Sequence, residues 1–237
     1  MEWTRAFGLM FEEWLREVVD MAEIPKVAGT VLLPSHPGAA DEIEDVVLFE
    51  KRGAVLFSGK SKMTRENVAR QAQSRSKLID WYEDFFFEPE SKQFSAGAVR
   101  LLSANIDRIR AGDHEPRMPR GTRLYPVLVS YDLLCEDVLL YEWIQARCQA
   151  LGLLQQTAVA PLTIANIEEF EMLMFHAGEG KSVVSLLRDR EGRWANRRLD
   201  VQLRSELVQR KRAPRLASRF DEIVNGMGLR LFGRKIR

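Results

Sequence analysis

The residues of this chain whose types and spacing lend themselves to chemistry lie between Asp41 and Lys62, DEIEDVVLFEKRGAVLFSGKSK. Asp45 opens a run of strand-forming residues, Val46 to Phe49. Glu50-Lys51-Arg52-Gly53 has the composition of a tight polar turn, with Gly53 at the position that most needs a positive φ, and Ala54 to Lys60 reads as the returning strand. Such a hairpin has an acid at its entry and lysines at its exit, so Asp45 and Lys60 meet at its open end. A carboxylate and an ammonium group held together on paired strands can move a proton or offset charge that develops on a substrate. Side chains alternate along a strand, so Leu56, Ser58 and Lys60 share one face and Val55, Phe57 and Gly59 the other.

A hairpin needs a core behind it, and the flanking sequence supplies one. Trp3 to Met21 reads as an amphipathic helix whose Phe7, Met10, Phe11, Trp14, Leu15 and Val18 follow the three-four spacing of a helix laid on a sheet, with Glu12 and Glu13 beside that stripe. Val27 to Leu33 is a strand closed by Pro34. After Lys62, a long helix from about Arg65 to Phe87 is polar in its early turns (Gln71 and Gln73 among them) and strongly apolar in its late ones. Ser95 to Ala111 is a further helix, and Leu124 to Tyr131 a continuous apolar run of the kind found in a strand buried on both faces. Asp132 caps a helix to Leu151 that Gly152 ends. Thr157 to Ile164 is a strand that Pro161 confines to an edge or a bulge, and Asn166 with Glu169 forms a capping box for a helix to Phe175. From Gly180 the chain reads as three helices. The order implies an α/β layer with a mixed central sheet flanked by helices, residues 1–175, and a basic helical C-terminal extension, 176–237, packed on it.

A chain of 237 residues, 46% of them apolar, can bury a substantial core. No apolar run approaches the length of a membrane span, and Glu2, Arg5, Glu12 and Glu13 stand where a secretory signal needs apolar residues, so a soluble cytoplasmic protein is expected. Cys135 and Cys148, with only three histidines elsewhere, make no cluster at zinc-ligand spacing and read as structural thiols. The net charge of +1 conceals a division: residues 188–237 hold 15 Lys or Arg against 6 Asp or Glu, leaving 20 against 28 for residues 1–187. A basic tail on an acidic body points to a polyanion partner or to docking of the tail on the body. Lys62, Arg197, Arg198, Arg204, Arg210, Lys211 and Arg212 are the candidate nucleic-acid contacts. Gly-rich phosphate loops, dinucleotide fingerprints and nucleophile elbows are absent from the sequence; Ala177-Gly-Glu-Gly-Lys181-Ser182 ends like a phosphate loop but lacks its first glycine, and reads as a helix-to-helix turn.

An N-terminal amphipathic helix with Gly-x-x-Phe-Glu, here Gly8-Leu-Met-Phe11-Glu12, then a strand, then Asp at a strand start, here Asp45, and a hydrophobic strand ending in acid-x-Lys, here with Lys60 at the Lys position, resembles the restriction-endonuclease-like fold of the PD-(D/E)XK nuclease superfamily. The resemblance covers roughly residues 5 to 90 and, more loosely, the strand-helix-strand unit from 124 to 175. It implies a metal-dependent phosphodiesterase acting on DNA, in bacterial defence or DNA processing. Asp45 and Glu12 would hold Mg²⁺ or Mn²⁺, and Lys60 would serve the attacking water or the phosphate. The sequence departs from the pattern at Ser58, where the family places its second acid. Either another carboxylate, such as Glu12 or Glu44, replaces it, or the domain is catalytically inactive and binds nucleic acid, a protein partner or a second copy of itself within a larger assembly.

Overall fold

A computed structural model of the chain describes residues 2–22, 32–34, 46–60, 75–88, 96–112, 119, 121–131, 138–192 and 199–206. Its elements in order are α1 (Glu2–Met21), β1 (Leu32–Pro34), β2 (Val46–Glu50), β3 (Gly53–Lys60), α2 (Arg75–Phe87), α3 (Ala98–Ala111), β4 (Leu124–Ser130), α4 (Val138–Ala150), β5 (Thr163–Asn166), α5 (Ile167–Gly178), α6 (Val183–Asp189) and α7 (Leu199–Glu206). The five strands lie side by side in chain order. β1, β2 and β3 form an antiparallel meander, after which β4 pairs parallel to β3 and β5 parallel to β4. This is the mixed sheet flanked by helices that the sequence implies.

Strand alternation sorts the core into two layers. Val46, Leu48, Val55, Phe57, Val127 and Val129 face α1, α5, α6 and α7. Val47, Ala54, Leu56, Leu124 and Leu128 face α2, α3 and α4. α1 is held by the stripe its spacing predicts: Met10, Phe11, Trp14, Leu15 and Val18 are all buried, and the side chain of Phe7 lies outside the described residues. Trp14 stacks on Phe11 at 5.8 Å between ring centroids and meets Phe170 of α5 at 6.0 Å, while Phe57 of β3 meets the same Phe170 edge-on at 5.1 Å. One ring of α5 therefore joins α1 to the sheet. The backbones are close as well, since a Cβ on Gly178 would lie 2.3 Å from the carbonyl oxygen of Ala22.

β4 is buried at all seven positions, as its unbroken apolar run requires, yet it contains Pro126. Successive backbone N–H groups on a strand point to opposite neighbours. Leu124 N–H donates to Ala158 O and Leu124 O accepts from Ala160 N–H, so Pro126 turns its missing donor to the same side, before β5 begins at Thr163. The sequence reading placed that strand at 157–164. The structure shifts it to Thr163–Asn166 and leaves only an isolated bridge at Val159 upstream, because Ala158 adopts a left-handed φ of 60° and Pro161 interrupts the ladder. The expected edge position holds, since β5 ends the sheet.

The hairpin turn also differs from expectation. Glu50 is the last residue of β2, Lys51 and Arg52 form the turn, and Glu50 pairs with Gly53. Gly53 is not among the glycines with positive φ, which are Gly112, Gly121, Gly152 and Gly180. Its glycine is explained by crowding: a Cβ there would lie 2.7 Å from the carbonyl oxygen of Arg123, where the entry to β4 crosses the turn and accepts the N–H of Ala54.

The capping box is present in both directions: Asn166 Oδ1 accepts from the N–H of Glu169, and Glu169 Oε2 accepts from the N–H of Asn166, each at 2.9 Å. The other oxygen, Glu169 Oε1, accepts from the N–H of Asp200 at 2.9 Å and so ties the start of α7 to the β5–α5 junction. Burial raises the Glu169 pKa, opposed by its hydrogen bonds from the backbones of Asn166 and Asp200. Cys148 is buried with its thiol pushed up to about 12 by desolvation, in keeping with a structural role; Cys135 lies outside the described residues.

On α5, burial and then the nearby Glu168 carboxylate push Glu171 up to about 7. The folded chain keeps this proton over a range where the unfolded chain releases it, so the stability that Glu171 contributes is present below its ordinary value of 4.5 and is lost as pH rises toward 7. Glu171→Gln is expected to raise the urea unfolding midpoint at pH 8 and to leave it unchanged at pH 4; an equal shift at both contradicts the assignment.

Candidate functional site at the carboxyl end of the parallel strands

In sheets with parallel strands, ligand sites form at the strands' carboxyl ends, where loops and helix starts converge. Here that end is marked by a row across three strands: Lys60 of β3 is in register with Ser130 of β4, and Ser130 with Asn166 of β5. The rows before it, Gly59–Val129–Ala165 and Ser58–Leu128–Ile164, are buried and, Ser58 apart, without side-chain polar groups. Buried polar residues thus gather over the last rows of the sheet, Thr163 and Ser58 before Ser130 and Asn166. Ser130 is fully buried, with its hydroxyl donating to Ala165 O at 3.4 Å, and Asn166 caps α5 as described.

Two further pieces of the expected site reach the same end. The antiparallel register sets Val46 opposite Phe57, so β2 begins three residues short of the end of β3. The ring of Phe11 meets Tyr131, the residue after β4, edge-on at 6.1 Å. This contact brings the turn of α1 that carries half-buried Glu12 to the carboxyl end of β4.

Of the residues expected from the sequence, Glu12 lies on the turn of α1 that reaches this end from the face of Val127 and Val129, opposite the face that Ser130 shares with Leu128, and Lys60 is placed by its backbone as the last residue of β3. Asp45, Glu44, Lys62, Gln71, Gln73, Arg197, Arg198, Arg210, Lys211 and Arg212 lie outside the described residues, and Arg204 is described only by its backbone in α7. Among the described residues no group of three or more His, Cys, Asp or Glu is placed to hold a metal ion. Glu12 is the one carboxylate of the expected metal set whose side chain is described. Ser58 is 1% exposed, in register with Leu128. A carboxylate at that depth would be desolvated and costly without a cation beside it, which gives a physical reason for a neutral hydroxyl where the resemblance calls for an acid.

Sequence reasoning missed Ser130 as a neighbour of Lys60 and read Asn166 only as a cap. The signal for both is the parallel register, which no local pattern contains. The Gly-Lys-Ser stretch, in contrast, behaves as read. Gly180 takes a φ of 80°, Ser182 caps α6, and the Glu50 carboxylate accepts from the Ser182 hydroxyl, from the N–H of Val183 at 2.7 Å and from that of Val184 at 3.4 Å. The place a phosphate loop would offer to an anion is filled by a side chain of β2. No helix among the described residues is long and apolar enough to cross a membrane. Compared with known proteins, the chain matches no family model, no curated protein and no solved structure.

Proposed function

We propose that the protein is a nuclease-like domain of the PD-(D/E)XK kind that acts on DNA with Mg²⁺ or Mn²⁺, its site lying at the carboxyl end of β3 and β4. The observation that carries this reading is the polar row Lys60–Ser130–Asn166, reached at the same end by the start of β2 and by the Glu12 turn of α1. In this reading Asp45 and Glu12 would hold the metal ion, which would supply polarisation of the scissile phosphate and activation of water. Lys60 offsets charge that grows on the phosphate in the transition state. Lys62, Arg197, Arg198, Arg204, Arg210, Lys211 and Arg212 contact the phosphate backbone. A role in bacterial defence or DNA processing follows from that activity.

Incubation with supercoiled plasmid tests the proposal. Nicking is expected with Mg²⁺ or Mn²⁺, abolished by chelator and by Asp45→Ala. Cleavage that Asp45→Ala leaves unchanged would assign the activity to another site.

Buried Ser58 favours a second reading, in which the fold has kept DNA binding and lost cleavage. It predicts no nicking by the wild type, with salt-sensitive DNA binding that survives Asp45→Ala and weakens when Arg210, Lys211 and Arg212 are reversed in charge. Ser58→Glu then supplies the missing ligand, and metal-dependent cleavage gained by that variant would mark a scaffold short of one carboxylate.

A further inference from the structure

The polar row at the carboxyl ends of the parallel strands closes with Asn166, and the residue that fastens Asn166 fastens a second segment as well. Glu169 is 7% exposed; its Oε2 accepts from the N–H of Asn166 and its Oε1 from the N–H of Asp200, each at 2.9 Å. A capping box needs only the first of these bonds. The second goes to the first turn of α7, where helix N–H groups have no partner within their own helix. One buried carboxylate thus holds two helix starts at the same end of the sheet.

The rest of α7 is docked by other contacts. Leu199, Gln202 and Leu203 are buried, Gln202 Nε2 donates to Leu186 O at 2.7 Å, and Leu203 O lies 3.3 Å from Nε2 of buried His176. These hold the helix on α5 and α6, while the bond to Glu169 sets where it starts. α7 is also the described element to which most of the candidate nucleic-acid contacts are joined in the chain: Arg197 and Arg198 directly precede it, Arg204 lies within it, and Arg210, Lys211 and Arg212 follow it. The position of α7 therefore bears on where those residues hold a phosphate backbone relative to Lys60.

We infer that Glu169 is a positioning residue: by holding the N–H of Asp200 beside Asn166 it keeps α7 in fixed relation to the row Lys60–Ser130–Asn166, so that DNA bound through the basic residues around α7 lies across the carboxyl end of β3 and β4. This role rests on the proposed action on DNA and names the residue that aligns the substrate of that site. Glu169 acts through Asp200 and touches no reacting group. Alignment of this kind matters to rate because a misplacement of about 1 Å from a change remote from the chemistry can cost about 10²-fold.

Two variants of the full chain that leave Glu169 and its capping box intact test it. Asp200→Pro removes the N–H that Glu169 Oε1 accepts, in the first turn of a helix where proline is tolerated, and Asp200→Asn keeps that N–H and removes only the charge. Asp200→Pro is expected to lower kcat for plasmid nicking by about tenfold or more with KM and gel-shift affinity within about twofold of the wild type, and Asp200→Asn to leave all three within about twofold. An unchanged kcat in Asp200→Pro, an equal loss in both variants, or a loss of affinity that matches the loss of rate overturns the inference. Titration of a duplex oligonucleotide into ¹⁵N-labelled protein gives a readout that needs no cleavage. In the wild type the amide signals of Val201 to Ser205 and those of Lys60, Ser130 and Asn166 are expected to shift together, and in Asp200→Pro those of α7 alone. That result with no nicking by the wild type would remove the cleavage reading and keep the positioning role. Wild-type shifts confined to one of the two groups, or absent from both, overturn the positioning role even where nicking is observed.

Discussion

Replacing Lys60 by alanine is expected to slow metal-dependent plasmid nicking by about 10²- to 10³-fold, the range found when one preorganised group that stabilises developing charge is removed. Lys60 ends β3, which is buried from Gly53 to Gly59 and is held in register with Ser130 of β4 at Lys60 itself, so its backbone is fixed before substrate arrives. That rigidity is why the loss should appear in kcat and not in KM: a charge that serves the transition state contributes little to ground-state binding. Lys60→Arg, which keeps the charge and changes its shape, should retain part of the activity. DNA affinity in gel-shift assays should fall far less than the rate. Loss of affinity equal to loss of rate would instead make Lys60 an ordinary phosphate contact.

Trp14→Ala is expected to destabilise the fold by about 3 to 5 kcal/mol, the usual cost of removing a buried indole or phenyl ring. Trp14 is fully buried, stacked on Phe11 and in contact with Phe170, which itself packs on Phe57 of the sheet. With total stabilities of about 5 to 15 kcal/mol for domains generally, such a loss is a large share of the whole. Urea unfolding followed by circular dichroism measures it. Because α1 also carries Glu12 to the strand ends, this variant should lose nicking activity together with helix docking, whereas Glu12→Gln should lose activity at unchanged stability. A Trp14→Ala unfolding free energy within about 0.5 kcal/mol of the wild type, the range of surface substitutions, would contradict the packing described.

What the sequence made legible was whatever its local pattern encodes. The three-four stripe of α1, the unbroken apolar run of β4 and the Asn166–Glu169 box each follow from residues within a few positions of one another, and each is found as read. Non-local facts were not legible. Gly53 drew attention as a turn glycine, but its requirement comes from Arg123, seventy residues away in the chain, whose carbonyl leaves no room for a Cβ. The start of β5 was misplaced because Ala158 turns left-handed, a conformation its side chain gives no hint of. The row that joins Lys60 to Ser130 and Asn166 arises from two parallel pairings, each requiring a crossover, and parallel register leaves no trace in either strand's own sequence. Ser58 was read as a missing acid; its burial shows the physical setting of that departure.

The proposed function requires a metal ion at the carboxyl end of β3 and β4. Titration of Mn²⁺ into ¹⁵N-labelled, deuterated protein, followed by paramagnetic broadening of amide signals, locates the ion directly. The account predicts that Gly59, Lys60, Ser130 and Tyr131 broaden first, at less than one equivalent of metal, while Arg52 and Gly53 at the far end of β3, about 23 Å away along the strand, remain sharp. Asp45→Asn should remove that selectivity. Broadening that begins elsewhere, or that spreads evenly over the surface, would contradict it.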